Sequence, residues 1–183
     1  MEKVTVNELI KLPVEALKGK LVIYPTDTVY GVGCLFNDTE GIEKIYRMKK
    51  RDYGKPIAVL CANLSQVKEI SDFNDVHSKY ASHWPGALTI ILNNKENNGT
   101  IAVRIPDSYV SCKILKHFGP MNTTSVNYSG EKEINSLDEI EELFSEYVDY
   151  LVTDFEVFSS QPSTIISCVS DDVKIIRNGG IKF

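Results

Sequence analysis

Short β-branched or apolar runs alternate along this chain with stretches whose apolar residues recur at helical spacing. That alternation restricts it to the α/β or α+β classes. Strands are expected at 21–24, 56–61, 88–92, 100–105, 121–126, 150–153, 164–169 and 173–177. A helix is expected at 38–48, where Ile42, Ile45 and Tyr46 share one face behind candidate caps at Asn37, Asp38 or Thr39. Further helices are expected at 64–70, 75–83 and 110–118. Ser136 with Glu139 three residues on fits a capping box, opening a helix to about residue 148. Trp84-Pro85-Gly86 and Gly119-Pro120 break the pattern. The polar turn 93–99 joins two strands as a hairpin would, whereas other strands are joined through helices. Both connections together imply α/β architecture with a twisted mixed sheet flanked by helices.

At 183 residues the chain is about one domain long, and no repeat or linker divides it, so a single domain over 1–183 is expected. A domain of that size buries roughly 70% of its unfolded surface and holds together without disulfides or metals. Cys34, Cys61, Cys112 and Cys168 form no C-x-x-C pair and read as buried free thiols. His77, His83 and His117 form no metal-binding pair, so no metal site is expected in the protein itself. No apolar run approaches the roughly 18 residues a membrane span needs, and residues 1–13 lack a signal peptide's apolar core. A cytoplasmic protein with no membrane contact is expected. The net charge of −5 argues against a protein that coats nucleic acid non-specifically.

Charge is unevenly placed. Six basic residues (Lys44, Arg47, Lys49, Lys50, Arg51, Lys55) stand against Asp52 alone between 44 and 55. The acidic block 131–156 reads as a solvated helix face. A helix C-terminus accounts for Lys49 and Lys50. It does not account for Arg51 and Lys55 beyond it, and like charges gathered at a loop point to a phosphate or carboxylate ligand.

Four polar islands sit at strand ends, where crevices of α/β sheets take polar ligands. Residues 25–31 carry Thr26, Asp27 and Thr28, which an ordinary turn would also explain. In 49–56, Lys49 and Arg51 alternate and offer a cationic fork suited to a triphosphate, although the phosphate-loop glycines are missing. In 123–130, Ser125 and Asn127 share one face of an extended segment. The fourth joins Pro162-Ser163-Thr164 to Arg177-Asn178-Gly179-Gly180. Arg104, inside a β-branched run, needs a partner: a ligand, an internal ion pair or an exposed edge. No G-x-S-x-G elbow and no catalytic carboxylate pair is visible. A site of Lys, Arg, Ser, Thr and Asn suits anion binding and stabilisation of developing charge.

In order, YPTDTVYGVG (24–33), IYRMKKRDYGKPIAVL (45–60), WPGALTIIL (84–92), TIAVRIP (100–106), TTSVNYSG (123–130), PSTIIS (162–167) and IIRNGG (175–180) resemble the YrdC-like threonylcarbamoyl-AMP synthases, in their short single-domain form. The resemblance implies a twisted α/β sheet around a concave, positively charged cavity. It implies synthesis of threonylcarbamoyl-AMP and pyrophosphate from L-threonine, bicarbonate and ATP, with Mg2+ accompanying the nucleotide. The product would feed a tRNA threonylcarbamoyl-transfer complex that makes N6-threonylcarbamoyladenosine. The family's K-x-R and S-x-N fall on Lys49, Arg51, Ser125 and Asn127, which the resemblance makes the catalytic set. Its nucleotide contacts fall on Arg51, Lys55, Thr100, Ser125 and Arg177; its threonine contacts fall on Thr28, Arg104, Thr123 and Ser163. The chain departs from the family pattern at Asp52, Leu60, Glu133 and Ser167. Two other readings compete: a paralogue of the same fold with another substrate, and a double-stranded RNA-binding module or tRNA contact using the same basic residues.

Overall fold

A computed structural model describes residues 1–156, 159–170 and 172–182. Its strands are β1 (Glu2–Val4), β2 (Val22–Pro25), β3 (Tyr30–Leu35), β4 (Ala58–Leu60), β5 (Leu88–Asn93), β6 (Thr100–Arg104), β7 (Met121–Ser125), β8 (Tyr150–Val152), β9 (Thr164–Ser167) and β10 (Lys174–Arg177). They form one sheet in the order β1-β8-β2-β3-β7-β4-β6-β5-β9-β10. It is mixed. β8 runs parallel to β1 and β2, β4 to β6, and β5 to β9, while the remaining neighbours are antiparallel. The expected hairpin is β5–β6, paired from Ile90↔Val103 to Asn93↔Thr100.

The helices are α1 (Val6–Leu9), α2 (Thr39–Lys49), α3 (Leu64–Ile70), α4 (Ser78–Ala81), α5 (Tyr109–Phe118) and α6 (Leu137–Phe144). Strand alternation distributes them over both faces. Val22 and Tyr24 of β2 pack with Leu9 of α1 and Ile114, Leu115 and Phe118 of α5. Ile23, one residue out of phase, packs with Ile45 and Met48 of α2 and Ile140 and Phe144 of α6. β2 is therefore buried on both sides, which explains why VIY reads as a continuous apolar run. A third cluster joins Leu88, Ile90 and Leu92 of β5 to Val103, Ile166 and Val67.

Caps fix the helix starts that matter for the site. Asp38 accepts from the Gly41 amide and opens α2; Ser108 accepts from the Ser111 amide and opens α5. α2 ends at Lys50, whose left-handed φ of 50° swings the chain out of the helix toward Arg51.

Several expectations need correction. The region 75–83 splits into a 3-10 turn at Asp75–His77 and the short α4. The helix after Ser136 stops at Phe144, not near 148, and Ser136 caps the Glu139 amide without a recorded return bond. β1, α1 and a 3-10 turn at Val14–Leu17 precede the first expected element. The expected list also lacks β3, because Gly31 and Gly33 dilute its β-branched pattern. A Cβ on Gly31 would lie 2.8 Å from Thr123 Cγ2, and one on Gly33 2.8 Å from Thr123 Oγ1. Both glycines make room for one threonine on the neighbouring strand. All four cysteines are free, but Cys112 and Cys168 are only partly buried.

Candidate active site

A cavity of about 430 Å³ touches seven successive strands of the sheet, from β3 to β10. It collects residues from all four islands. Thr28, Arg51, Lys55, Arg104, Thr123, Ser125, Ser163 and Arg177 line it. Among the described residues no aspartate or glutamate lines it. Its remaining wall is mainly apolar, with Leu60, Ile91, Ala102, Ile165 and Ile176.

The cavity has two differently built halves. One is a buried hydroxyl wall. Thr26 Oγ accepts from the Thr28 and Val29 amides, each at 3.2 Å, and so shapes the turn after β2. Thr26 and Thr28 hydroxyls lie 3.0 Å apart. Thr123 Oγ lies 2.7 Å from the buried Tyr24 hydroxyl, and Ser163 Oγ lies 2.8 Å from Thr89 Oγ. Arg104 runs along this wall. Its Nε donates to Gly86 O at 3.0 Å, Nη1 to Thr28 Oγ at 2.9 Å and Nη2 to Asp27 Oδ1 at 2.5 Å. The stranded charge of β6 thus has an internal partner, and it still lines the cavity. Burial, the largest influence, lowers the Arg104 pKa, opposed by Asp27; burial raises that of Asp27, opposed by Arg104.

The other half is cationic. Arg51 pins its own loop: Nε donates to Lys55 O and Nη2 to Pro56 O, both at 3.0 Å. The Tyr46 hydroxyl also holds Lys55 O, at 2.9 Å, and Asp52 Oδ1 accepts from the Gly54 amide. This ties Arg51, Lys55 and Pro56 into one rigid rim. From the opposite side Arg177 clamps Ser163, with Nε at 3.0 Å and Nη2 at 2.8 Å from its carbonyl. Burial lowers the Arg177 pKa; Glu133 opposes this and the like charge of Arg51 adds to it. The like charge of Arg51 felt at Arg177 is what an anion in the cavity would relieve.

Lys49, the first residue of K-x-R, is not in the cavity. It is 1% exposed and lies beneath β7. Its ammonium donates to Ser125 O, to Asn127 O at 3.0 Å and to Asn127 Oδ1. Ser125 Oγ donates to the same Asn127 oxygen at 2.9 Å, and Asn127 Nδ2 donates to Glu131 O. Lys49, Ser125 and Asn127 therefore form one cluster in which the lysine fixes S-x-N; of these three only Ser125 lines the cavity, while Arg51, the other half of K-x-R, lines it from the neighbouring loop. Burial, then Arg51, pulls the Lys49 pKa down to about 7, with Glu133 opposing.

Thr100 also lies outside the first cavity. It is at the exposed start of β6 and lines an adjoining cavity of about 540 Å³, which shares Pro56, Ile91 and Ala102 with the first. Thr26 and Thr89 line the first cavity without having been assigned a role from sequence. Thr89 carried a usable signal: it is the only hydroxyl in the run LTIIL. Among the described residues no group of three or more His, Cys, Asp or Glu could hold a metal, and no helix is long and apolar enough to cross a membrane.

A family model, Sua5_yciO_yrdC, described as telomere recombination, matches residues 15–179. A Methanocaldococcus jannaschii protein provisionally named threonylcarbamoyl-AMP synthase is 33% identical over 98% of this chain and 88% of its own. The crystal structure of Escherichia coli YciO superposes with TM-score 0.83 at 27% identity, covering 94% of this chain and 89% of that one. The H234A/Y235A form of P. abyssi Sua5 superposes with TM-score 0.81 at 26% identity over 96% of this chain. Against that protein the chain spans about half the length, 56%.

Proposed function

The chain belongs to the Sua5–YciO–YrdC family, and on that premise we propose that it is a nucleotidyltransferase, an L-threonylcarbamoyladenylate synthase. It joins L-threonine, bicarbonate and ATP into threonylcarbamoyl-AMP and releases pyrophosphate. The observation that carries this reading is the division of one cavity, with no acid among its described lining residues, into a hydroxyl-and-Arg104 half and an Arg51–Lys55–Arg177 half. The first suits a small hydroxy amino acid; the second suits a polyphosphate. The name of the Methanocaldococcus jannaschii relative supports the same assignment.

The chemistry follows from that division. Threonine's carboxylate pairs with Arg104, and Thr28, Thr123 and Ser163 supply partners for its other polar groups. The uncharged amine takes up carbon dioxide derived from bicarbonate, forming a new N–C bond and losing a proton. A carbamate oxygen then attacks the α-phosphorus of ATP; the α–β bridging P–O bond breaks and pyrophosphate leaves. Attacker and target are both anionic. Arg51, Lys55 and Arg177 offset that repulsion and the charge growing on the leaving group. Lys49 holds Ser125 in register for the nucleotide, and the rest is positioning. Mg2+ enters as part of the nucleotide substrate. With no carboxylate among the described residues of the cavity lining, phosphate oxygens and water would supply its ligands.

The product is a mixed carbamic–phosphoric anhydride, so a transferase must consume it; the proposed consumer is the complex that modifies tRNA. Cytoplasmic residence and a single domain over the full sequence belong to the same proposal. The YciO likeness favours a second reading, a paralogue acting on another carboxylated amine. The deciding experiment is chromatographic detection of threonylcarbamoyl-AMP. Its formation from threonine but not from serine supports the synthase. Its absence in folded protein that binds ATP supports the paralogue.

A further inference from the structure

Arg104 is wired from behind. A guanidinium has five N–H donors. Three are committed, one each to Gly86 O, Thr28 Oγ and Asp27 Oδ1. The two left over lie one on each terminal nitrogen, the pair a carboxylate takes two-handed. Arg104 and Thr28 line the cavity; Asp27 does not. The Arg104 and Asp27 side chains are 7% and 14% exposed, so the pair is a buried one. Asp27 is itself held: its carbonyl accepts from the Ser159 amide at 3.1 Å, and the Thr28 carbonyl accepts from the Ser160 amide at 2.9 Å. The turn is thus gripped on both sides, by the Thr26 hydroxyl within and by 159–160 without.

We propose that Asp27 is a positioning residue for amino-acid recognition: it acts through Arg104, aiming the two remaining N–H donors at the substrate carboxylate. This rests on the reading that Arg104 binds that carboxylate. The charge of Asp27 works against the role its geometry serves. An acid beside Arg104 weakens attraction for a second carboxylate, so deleting its charge alone strengthens binding. A loss of affinity on removing Asp27 therefore reports lost aim and not lost electrostatics.

Three variants separate these effects. Asp27→Ala removes both acceptor and charge. Asp27→Asn keeps the acceptor and removes the charge. Arg104→Met removes the proposed carboxylate partner. Threonine-dependent pyrophosphate release and calorimetric threonine binding are measured for each, with thermal melting as a folding control. The expected result is a threonine KM raised at least tenfold in Asp27→Ala, with the KM for ATP within twofold of wild type. Asp27→Asn restores the threonine KM to the wild-type value or below. A wild-type threonine KM in Asp27→Ala overturns the proposal. So does a raised one in Asp27→Asn, a test that holds even where the alanine variant does not fold. If Arg104→Met binds threonine normally, the underlying placement of the carboxylate fails, and Asp27 fails with it.

Discussion

Replacing Lys49 by methionine sets two large terms against each other. Burial has lowered its pKa from 10.5 to about 7. At about 1.4 kcal/mol per unit, that difference of about 3.5 units, less the part already relieved because the folded amine is half-titrated at pH 7, means the buried amine costs the fold roughly 4 kcal/mol at neutral pH. Methionine is of similar length and removes this cost. It also strips the donor from Ser125 O, Asn127 O and Asn127 Oδ1. Asn127 Oδ1 still accepts from Ser125 Oγ, and an unsatisfied buried acceptor costs about 1–3 kcal/mol, so the two carbonyls left bare cost about 2–6. The terms nearly cancel, and Lys49→Met should fold with a stability within a few kcal/mol of wild type. Turnover should nonetheless fall at least tenfold, because the ammonium that ties the Ser125 and Asn127 carbonyls together is gone and only the Ser125 Oγ–Asn127 Oδ1 bond remains. The pH dependence makes the argument sharper. A lysine whose folded pKa is depressed leaves the folded state with fewer bound protons than the unfolded chain between about pH 7 and 10.5. Stability must therefore rise with pH across that window. At pH 9 the remaining cost is about 2 kcal/mol, so wild type should gain about 2 kcal/mol on the variant between pH 7 and 9. Urea unfolding of both proteins at the two pH values checks this. A constant difference, or wild-type turnover in the variant, refutes the reasoning.

Other outcomes follow from the same geometry. Arg51→Ala should lower turnover at least tenfold with the fold intact, since it removes both a cavity cation and the anchors of Lys55 O and Pro56 O; Arg51→Lys keeps the charge but not the fork and should recover little, by steady-state kinetics. Gly33→Ala places a methyl 2.8 Å from Thr123 Oγ and 3.2 Å from Asn122 O. It should destabilise the protein by about 1–3 kcal/mol and raise the threonine KM, read by melting and kinetics. Because no acid among the described residues lines the cavity to pair with an ammonium, kcat/KM for threonine should rise about tenfold per pH unit below the pKa of the free amine. A flat profile from pH 7 to 8.5 contradicts that.

Much of this fold is legible along the sequence because most elements carry their own period. α3 spans 64–70 as its pattern and the Asn63 cap require, and β5 and β6 pair across the polar turn. What is not legible has definite physical causes. β3 is hidden because its glycines answer to Thr123, a residue about 90 positions away, and not to their own strand. α1 is too short for a helical period to register. In the site, adjacent cations in K-x-R look alike by charge. Two positions then separate a lysine beneath β7 from an arginine at the cavity rim, which linear spacing cannot resolve. Arg104 was legible as a charge needing a partner. Its internal partner Asp27 lies 77 residues away and is brought to it by the pairing of β2, β3, β7, β4 and β6.

The central claim is that one cavity brings a carboxylated amino acid to the α-phosphorus of ATP. The most direct test is pyrophosphate release from Mg2+–ATP, measured with and without L-threonine and bicarbonate, with L-serine as control. The account predicts release that requires both threonine and bicarbonate and that serine does not support. Release independent of threonine, or none from folded protein that binds ATP, contradicts it.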